Sequence, residues 1–480
     1  MNDRKGFGSN FGFLMAAVGS AVGLGNIWGF PNKMGANGGF PFLILYLALA
    51  LCCGVIIMLG ELALGRKTGH GAVGAYQSIS KRFKWLGWLG IAAAALIFSF
   101  YSALGGYCLR YVVVNFGNLI GAEFGTNGVG GADVFQGLLS QPDMSIAFAL
   151  AFMLITMLVV MSGVGGGIER VCSVGMPALF FILIICIIRS CTLPGAADGL
   201  KYMFVPGWAV ANGIIDEAPG FWRVLTAAGG QMFFSLSLGA GVMITYGSYL
   251  DKKQDLGKST MIIVGMDTVV ALMAGLCVIP GRFALDPNGA LGGPELLFIT
   301  MQNVFDKMGP AGPVFGILFY LLVFFAAISS SISMLEVIVA HFCDKAREKG
   351  KGDRRKLYSA IVVVICAALC ALVCADGMGS NHISPAELLG LAGAKLPGWS
   401  TSWLGLFDSV AEGLLMPLGA LLMCLMISWE LKPDALRQEI LLNGENRPWV
   451  YDFFRLCVKY ITPLCMLMIL YGQISDFFIV

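Results

Sequence analysis

The chain has 480 residues, of which 57% are hydrophobic and only 12% are charged, whereas soluble domains carry ~25% charged residues. The formal net charge is +2, so no charge excess is present to attract nucleic acid. A mean hydropathy of +0.80 excludes a single water-soluble core, because the polar residues are too few to cover its surface. The composition therefore predicts a polytopic membrane protein embedded in a lipid bilayer.

About eleven apolar segments are long enough to cross the ~30 Å of hydrocarbon in a bilayer. None of them alternates like the strands of a membrane barrel, so all are predicted to be helices. The predicted spans are residues 11–34, 40–64, 86–116, 145–163, 171–190, 221–249, 259–281, 312–342, 357–375, 404–429 and 452–478.

The distribution of positive charge predicts the orientation of these spans. Lys and Arg concentrate in the loops on the side of the amino terminus, most densely between Lys345 and Lys356. Loops rich in Lys and Arg remain in the cytoplasm. We therefore expect a multi-pass protein of the cell inner (plasma) membrane, with the amino terminus in the cytoplasm and the carboxyl terminus outside.

One long loop on the predicted outer side, residues 282–311, contains the amphipathic stretch PELLFITMQNVFDKMG. This stretch is too short and too polar to span a membrane. It is compatible with a helix on the protein surface and equally with a lid over an outer vestibule.

The first and sixth spans contain residues that weaken helices at mid-membrane depth. Residues 16–31 read AAVGSAVGLGNIWGFP and residues 229–249 read GGQMFFSLSLGAGVMITYGSY. Glycine costs ~1 kcal/mol per helical position relative to alanine, and an unpaired peptide group in lipid costs several more. Continuous helices packed closely through small residues are one interpretation. Unwound helices lining a binding site are the other, and the five-span offset favours it.

The same offset predicts two five-helix repeats of inverted topology followed by one extra helix. Residues 1–190 would form the first repeat, and residues 191–429 the second, with the lid loop 282–311. Residues 430–480 would supply a cytoplasmic loop and the eleventh span.

Five motifs carry a family resemblance: GSAVGLGNIWGFP, NGGFPFLILY, GELALGR, GGQMFFSLSLGAGVMITYGSY and FFAAISSSISMLE. Together they resemble the neurotransmitter:sodium symporter family, whose bacterial members are sodium-coupled amino-acid transporters. The resemblance covers essentially the whole chain, and eleven spans are similar to a bacterial subset of the family. It implies secondary active uptake of an amino acid by alternating access, in a monomer or weak dimer.

Two other classes of function fit the sequence less well than transport. A membrane sensor that binds an amino acid and moves little of it is the alternative, although the loops are short and no signalling domain is attached. An enzyme is not expected, because no nucleophile and base with an orienting group are apparent.

The resemblance implies two Na⁺ sites built from oxygen ligands, which hard cations prefer. Sodium 1 would be held by the carbonyl of Ala21 and the side chains of Asn26, Ser235 and Asp267, together with the substrate carboxylate. Sodium 2 would be held by the carbonyls of Gly19, Val22 and Ala326 and the hydroxyls of Ser329 and Ser330. Without the resemblance, the serine hydroxyls would be read as bonded to the preceding helical turn.

The resemblance also implies how an amino-acid zwitterion would be bound. Its carboxylate would contact the backbone N–H groups of Leu24 and Gly25 and the Tyr101 hydroxyl. Its ammonium would contact the carbonyls of Ala21, Phe234 and Ser235 and the Ser237 hydroxyl. The side-chain pocket would be lined by Ile97, Tyr101, Phe234, Ala240 and Met334. Because this lining is mostly apolar, an apolar or aromatic amino acid is expected.

Gates are implied on both sides of the site. Tyr101 and Phe234 would close over the substrate, and Arg4 and Asp344 would form the cytoplasmic pair. Gly29 stands where the family usually has the Arg that pairs with an acid matching Asp408. Our hypothesis is that Lys33, or a water network, takes over this outer gate.

Two acids inside predicted spans have implied roles. Asp267 places a carboxylate beside sodium 1 where other members have Asn, while Ala271 cannot ligate an anion, so chloride-independent transport is expected. Glu61, in the second span, would be a structural partner of the unwound first span.

Overall fold

The computed structural model describes residues 6–126, 128–390, 398–431, 433–441 and 448–478, and within these ranges every regular element is a helix. Nine of the described helices are long and apolar enough to cross a membrane. We number them by span: α2 (Phe40–Thr68), α3 (Lys81–Ile120), α4 (Pro142–Met161), α5 (Val164–Cys191), α7 (Leu256–Leu285), α8 (Gly309–Glu348), α9 (Arg355–Gly379), α10 (Trp403–Leu431) and α11 (Trp449–Ser475).

The two remaining spans are broken helices. Span α1 consists of Asn10–Ala21 and Gly25–Ala36, which are bent by 44° at the break. Span α6 consists of Phe221–Ser235 and Val242–Gly247, with six residues between them. The eleven predicted segments each coincide with one of these spans, and the prediction of unwound first and sixth helices is confirmed.

The break in α1 follows from local backbone geometry. Val22 has a ψ of 99° and leaves the helical conformation, although its N–H still donates to the Val18 carbonyl. The second half of α1 begins as a π-helix over Gly25–Gly29 and continues as an α-helix over Phe30–Ala36, with Pro31 in its first turn. The break in α1 therefore lies over residues 22–24, between the α-helical first half and the π-helical start of the second half.

The break in α6 uses the left-handed backbone conformation. Ser237, Gly239 and Gly241 have φ values of 52°, 78° and 73°. Gly239 also has no room for a side chain, because an added Cβ would lie 2.2 Å from the carbonyl oxygen of Met416 on α10. Its N–H donates to Glu61 Oε1 of α2 at 2.7 Å. Glu61 therefore pairs with the break of the sixth span, which corrects the expectation that it supports the first.

Helices α3 and α8 pack along one another, and α4 and α9 pack against both of them. The two broken spans lie beside this group and contact α2, α7 and α10 as well. Large apolar side chains remain exposed on α5, α9 and α11, as Val174, Val364 and Tyr471 illustrate. Exposed apolar faces of this kind suit contact with lipid.

The last span lies against the first half of α6 through two glycines. An added Cβ on Gly229 of α6 would lie 2.7 Å from Ile469 Cδ1 of α11. An added Cβ on Gly472 of α11 would lie 2.0 Å from Thr226 Oγ1 of α6. Because each helix has a glycine at the contact, the backbones of α6 and α11 can approach each other closely.

The backbone of Gly239 gives a stability prediction. Gly239→Ala must place a Cβ against the Met416 carbonyl and adopt the left-handed conformation, which costs ~1–2 kcal/mol for a residue with a Cβ. Gly207→Ala is the matched control, since Gly207 has a similar φ of 71° and open space around it. We expect Gly239→Ala to lower the melting temperature of the detergent-solubilised protein clearly more than Gly207→Ala. Equal shifts would mean that the contact with α10 is not tight.

Candidate functional site

Tyr101 of α3 and Phe234 of α6 lie next to one another beside the break in α1. The Tyr101 hydroxyl accepts a hydrogen bond from the Leu24 N–H at 2.7 Å. The two ring centroids are 6.3 Å apart in an edge-to-face arrangement. The side chains are only 3% and 7% exposed, so this side of the break is closed to solvent.

The predicted sodium 1 side chains come together around the Asp267 carboxylate of α7. Ser235 Oγ donates to Asp267 Oδ2 at 2.8 Å, and Asn26 Nδ2 donates to Asp267 Oδ1 at 2.7 Å. Tyr46 of α2 adds a longer contact, its hydroxyl lying 3.3 Å from Oδ2. The Asp267 carboxylate and the Ser235 hydroxyl thus bring oxygen atoms together near the two breaks, and oxygen ligands suit Na⁺. The amide oxygen of Asn26, in contrast, accepts from the Gly23 N–H at 3.0 Å.

The predicted sodium 2 groups also converge, between α1 and α8. Ser329 Oγ lies 3.4 Å from the Val22 carbonyl oxygen and 3.0 Å from that of Ala326. Ser330 Oγ lies 3.4 Å from the Gly19 carbonyl oxygen. All five groups carry oxygen and none carries a formal charge, so they match the preference of Na⁺ for hard ligands.

One carbonyl in this region was missed by the sequence analysis. The Ser20 carbonyl accepts from Ser330 Oγ and from Ser237 Oγ, each at 3.0 Å. It therefore links α8 and the break in α6 to the end of the first half of α1. The hydroxyl pattern in the sequence did not reveal this link, because the partner is a backbone atom freed by the break.

Glycines at the α1 break let neighbouring side chains reach its backbone. An added Cβ on Gly23 would lie 2.2 Å from Ser330 Oγ and 2.4 Å from Tyr101 Oη. Gly25 is similarly close to Phe234, at 3.1 Å from Cδ1. Its carbonyl accepts from Gln231 Nε2 at 2.6 Å. The glycine spacing in the first span is therefore explained by contacts from α3, α6 and α8.

The predicted substrate residues are all almost fully buried, and they come from the four spans α1, α3, α6 and α8. The apolar members Ile97, Ala240 and Met334 offer no charge to a ligand side chain. The polar members lie at the two breaks, where Ser237 has an unusual φ of 52°. The complete set is Ala21, Leu24, Gly25, Ile97, Tyr101, Phe234, Ser235, Ser237, Ala240 and Met334.

On the side of the second half of α1, a polar cavity of about 290 Å³ holds charged side chains from α1, α6 and α10. Lys33 forms an ion pair with Glu412 in this cavity. Asp408 lines the same cavity one turn earlier on α10, together with Gln473 of α11. The acid that Lys33 contacts is therefore Glu412, which lies in the π-helix Ser409–Leu415 of α10, and not Asp408.

The amphipathic stretch of loop 282–311 packs onto this same side. Its apolar side chains Leu296, Phe298 and Met301 are buried. The preceding turn is tied to α1, since the Gly293 N–H donates to Asn32 Oδ1 at 2.6 Å and Trp28 Nε1 donates to the Gly293 carbonyl. The stretch is thus packed into the protein and does not lie on it as an isolated surface helix.

On the opposite side, the Phe7 ring packs edge-on against Phe13, Tyr246 and Tyr249. Asp344 Oδ2 accepts from the Gly71 N–H at 3.3 Å. The predicted partner of Asp344, Arg4, lies outside the described residues. The sequence analysis also missed an ion pair between Glu336 of α8 and Arg355 of α9, although an acid within a predicted span was a usable signal for it.

The family model described as the sodium:neurotransmitter symporter family matches residues 4–127 and 133–478. The chain belongs to this family. It is 36% identical to the uncharacterised sodium-dependent transporter YhdH of Bacillus subtilis over 479 residues, with 97% of each chain covered. An uncharacterised sodium-dependent transporter of Methanocaldococcus jannaschii is 30% identical, with 91% of this chain and 84% of that protein covered.

The fold is similar to a solved family structure, the crystal structure of MhsT in complex with L-phenylalanine. The two have a TM-score of 0.83 and 33% sequence identity, with 98% of this chain and 100% of that chain covered. The protein is therefore a multi-pass member of a sodium-dependent transporter family, as its sequence motifs predicted.

The Tyr101 hydroxyl gives a prediction for ligand binding. Tyr101→Phe removes the hydroxyl that is expected to donate to the substrate carboxylate, and a hydrogen bond to a charged group contributes ~1.5–3 kcal/mol. We expect the Kd for an amino-acid substrate, measured in Na⁺, to rise about tenfold. Tyr111→Phe, on the same helix, is the control, because the buried Tyr111 hydroxyl has no hydrogen-bond partner among the described residues. Equal losses in both variants would argue against a role of Tyr101 in binding.

Proposed function

We propose that this protein couples the entry of Na⁺ to the uptake of an apolar or aromatic amino acid by alternating access. The observation that carries the proposal is the convergence of two broken helices on buried oxygen groups and on the Tyr101–Phe234 pair. Half-helix ends supply N–H groups for an anionic group and carbonyls for cations, which together match a zwitterion and Na⁺. The similarity to MhsT bound to L-phenylalanine supports the substrate class.

Within this proposal, two Na⁺ ions have different tasks. Sodium 1, beside Asn26, Ser235 and Asp267, would contact the substrate carboxylate and so couple binding of ion and substrate directly. Sodium 2 would join the first half of α1 to α8 through Gly19, Val22 and Ser329. A bound ion at this second position holds together two elements that belong to different repeats, if residues 1–190 and 191–429 form the inverted pair.

The arrangement at Asp267 supports chloride independence. Its carboxylate already supplies a negative charge beside Asn26 and Ser235, so a bound anion is not needed to balance sodium 1. Ala271, one turn further on α7, has no group that can ligate an anion. The orientation, with the amino terminus in the cytoplasm and a monomer or weak dimer in the plasma membrane, completes the proposal.

The direct test uses the purified protein in liposomes with an inward Na⁺ gradient. Labelled Leu, Phe, Trp, Tyr and Met are supplied outside, and accumulation is followed with Na⁺ or with choline. We expect accumulation above equilibrium for at least one of them in Na⁺ and none in choline. Sodium-dependent binding without accumulation would instead support an amino-acid sensor, and no sodium dependence would contradict the proposal.

Replacing chloride by gluconate on both sides of the membrane should leave the initial rate of uptake unchanged. The reason is that Asp267 provides the charge for which an anion would otherwise be needed. The measurement is uptake of the best substrate at fixed Na⁺ over a range of chloride concentrations. A strict requirement for chloride would show that the carboxylate does not play this part.

The ion pair between Lys33 and Glu412 would form the outer gate in place of the missing Arg at position 29. Lys33→Glu places two acids together in a largely buried site, so we expect the uptake rate to fall at least about tenfold. Adding Glu412→Lys to this variant should restore much of the rate, because the pair is re-formed with reversed polarity. Adding Asp408→Lys is the matched control and should restore less. Equal rescue by both, or independent additive effects, would count against the assigned pair.

A further inference from the structure

The start of α1 is held by one carboxylate from the start of α5. Glu169 Oε2 accepts from the Gly8 N–H at 2.7 Å, and Glu169 Oε1 accepts from the Ser9 hydroxyl at 2.9 Å. Ser9 is also the N-cap of α1, and its Oγ accepts from the Gly12 N–H at 2.9 Å. We call this group of Gly8, Ser9 and Glu169 the α1 clamp. It joins a helix cap to a charged acceptor, which makes stronger hydrogen bonds than a neutral one.

The packing at Gly12 shows that the carboxylate lies directly on α1. An added Cβ on Gly12 would lie 1.9 Å from Glu169 Oε1 and 2.2 Å from its Cδ. Only glycine therefore fits at this position of α1 while Glu169 keeps its contacts. The need for glycine at position 12 thus follows from the position of the Glu169 carboxylate, although the two residues are far apart in the sequence.

A second contact between the same two spans lies at the proposed sodium 2 site. An added Cβ on Gly19 would lie 3.2 Å from Met176 Sδ and 3.3 Å from Cys172 Sγ, both on α5. The same position is 3.2 Å from Ser329 Cβ of α8. The first half of α1 thus lies between α5 and α8, with the clamp at its start and the sodium 2 carbonyls near its end.

Two further contacts hold the start of α1 on its other sides. The Phe7 ring packs 5.5 Å from Phe13 and 5.6 Å from Tyr246. Gln254 Nε2 donates to Asn10 Oδ1 at 2.6 Å. None of these partners carries a charge, and Glu169 differs from them in supplying a carboxylate to this segment.

We propose that Glu169 is a positioning residue that holds the first half of α1 against α5 and thereby keeps the carbonyls of Gly19 and Val22 in place for sodium 2. The inference rests on the proposed function for the identity of the ion. Breaking the clamp frees the start of α1, so the end of the same rigid helix is less well positioned beside Ser329. Binding of Na⁺ then has to fix the position of the first half of α1, which the clamp fixes in the unmodified protein.

Hydrogen exchange of the full-length protein in lipid nanodiscs tests the clamp itself. In Glu169→Gln, we expect amides in residues 10–21 to exchange several times faster than in the unmodified protein, while residues 30–36 in the second half of α1 stay unchanged. Glu348→Gln, an exposed acid at the end of α8, is the matched control and should change neither segment. This measurement needs no transport, so it tests the clamp even where the proposed function fails.

Substrate binding as a function of Na⁺ concentration tests the link to sodium 2. We expect the half-saturating Na⁺ concentration of Glu169→Gln to rise about threefold to tenfold, while the substrate Kd at saturating Na⁺ remains as in the unmodified protein. A purely structural loss would lower binding at every Na⁺ concentration. Should Glu169→Gln not fold, Ser9→Ala removes the other side of the clamp and should raise the same Na⁺ midpoint.

The double variant of Ser9→Ala and Glu169→Gln should shift the Na⁺ midpoint little beyond the larger single effect, because both changes break one contact. Unchanged exchange in residues 10–21, an unchanged Na⁺ midpoint, or fully additive effects would each overturn the inference.

Discussion

Peptide groups released from a helix inside a membrane must find partners within the protein, because lipid offers none. The two breaks meet this constraint with side chains from other spans. The Leu24 N–H is bonded to Tyr101, the Gly25 carbonyl to Gln231 and the Gly239 N–H to Glu61. These polar side chains at membrane depth therefore share one structural role, which is to pair with the peptide groups that the breaks release. A ligand that binds at the breaks would replace these side chains as the partner of the released peptide groups.

Two of the acidic side chains within the described spans form ion pairs, since a buried charge without a partner is costly. Glu336 is paired with Arg355, and Glu412 with Lys33. Glu61 is bonded to the neutral Gly239 N–H. Asp267 also has only neutral partners, since its oxygens are bonded to groups from Asn26 and Ser235. It is thus an uncompensated carboxylate among hydroxyl and amide groups, which is the electrostatic setting that a monovalent cation would stabilise.

The sequence was sufficient for the spans and the positions of both breaks, since hydropathy and clustered glycines report directly on membrane helices and their interruption. It was not sufficient for contacts that depend on helix register. The partner of Lys33 was expected at Asp408, yet the lysine is paired with Glu412, one turn further along α10. Glu61 was expected at the break of the first span but contacts that of the sixth. Which broken span faces α2 at that depth depends on how the helices assemble, and the sequence alone does not show it. The Ser20 carbonyl could not be found from any side-chain pattern.

The reciprocal glycines Gly229 and Gly472 have a consequence for how the molecule deforms. Ile469 lies over Gly229 and Thr226 lies over Gly472, so neither helix can slide along the other without separating from it. Interiors packed this closely transmit displacement. The last span, α11, is thus interlocked with the first half of α6. A tilt of that half-helix would therefore displace the carboxyl-terminal helix as well.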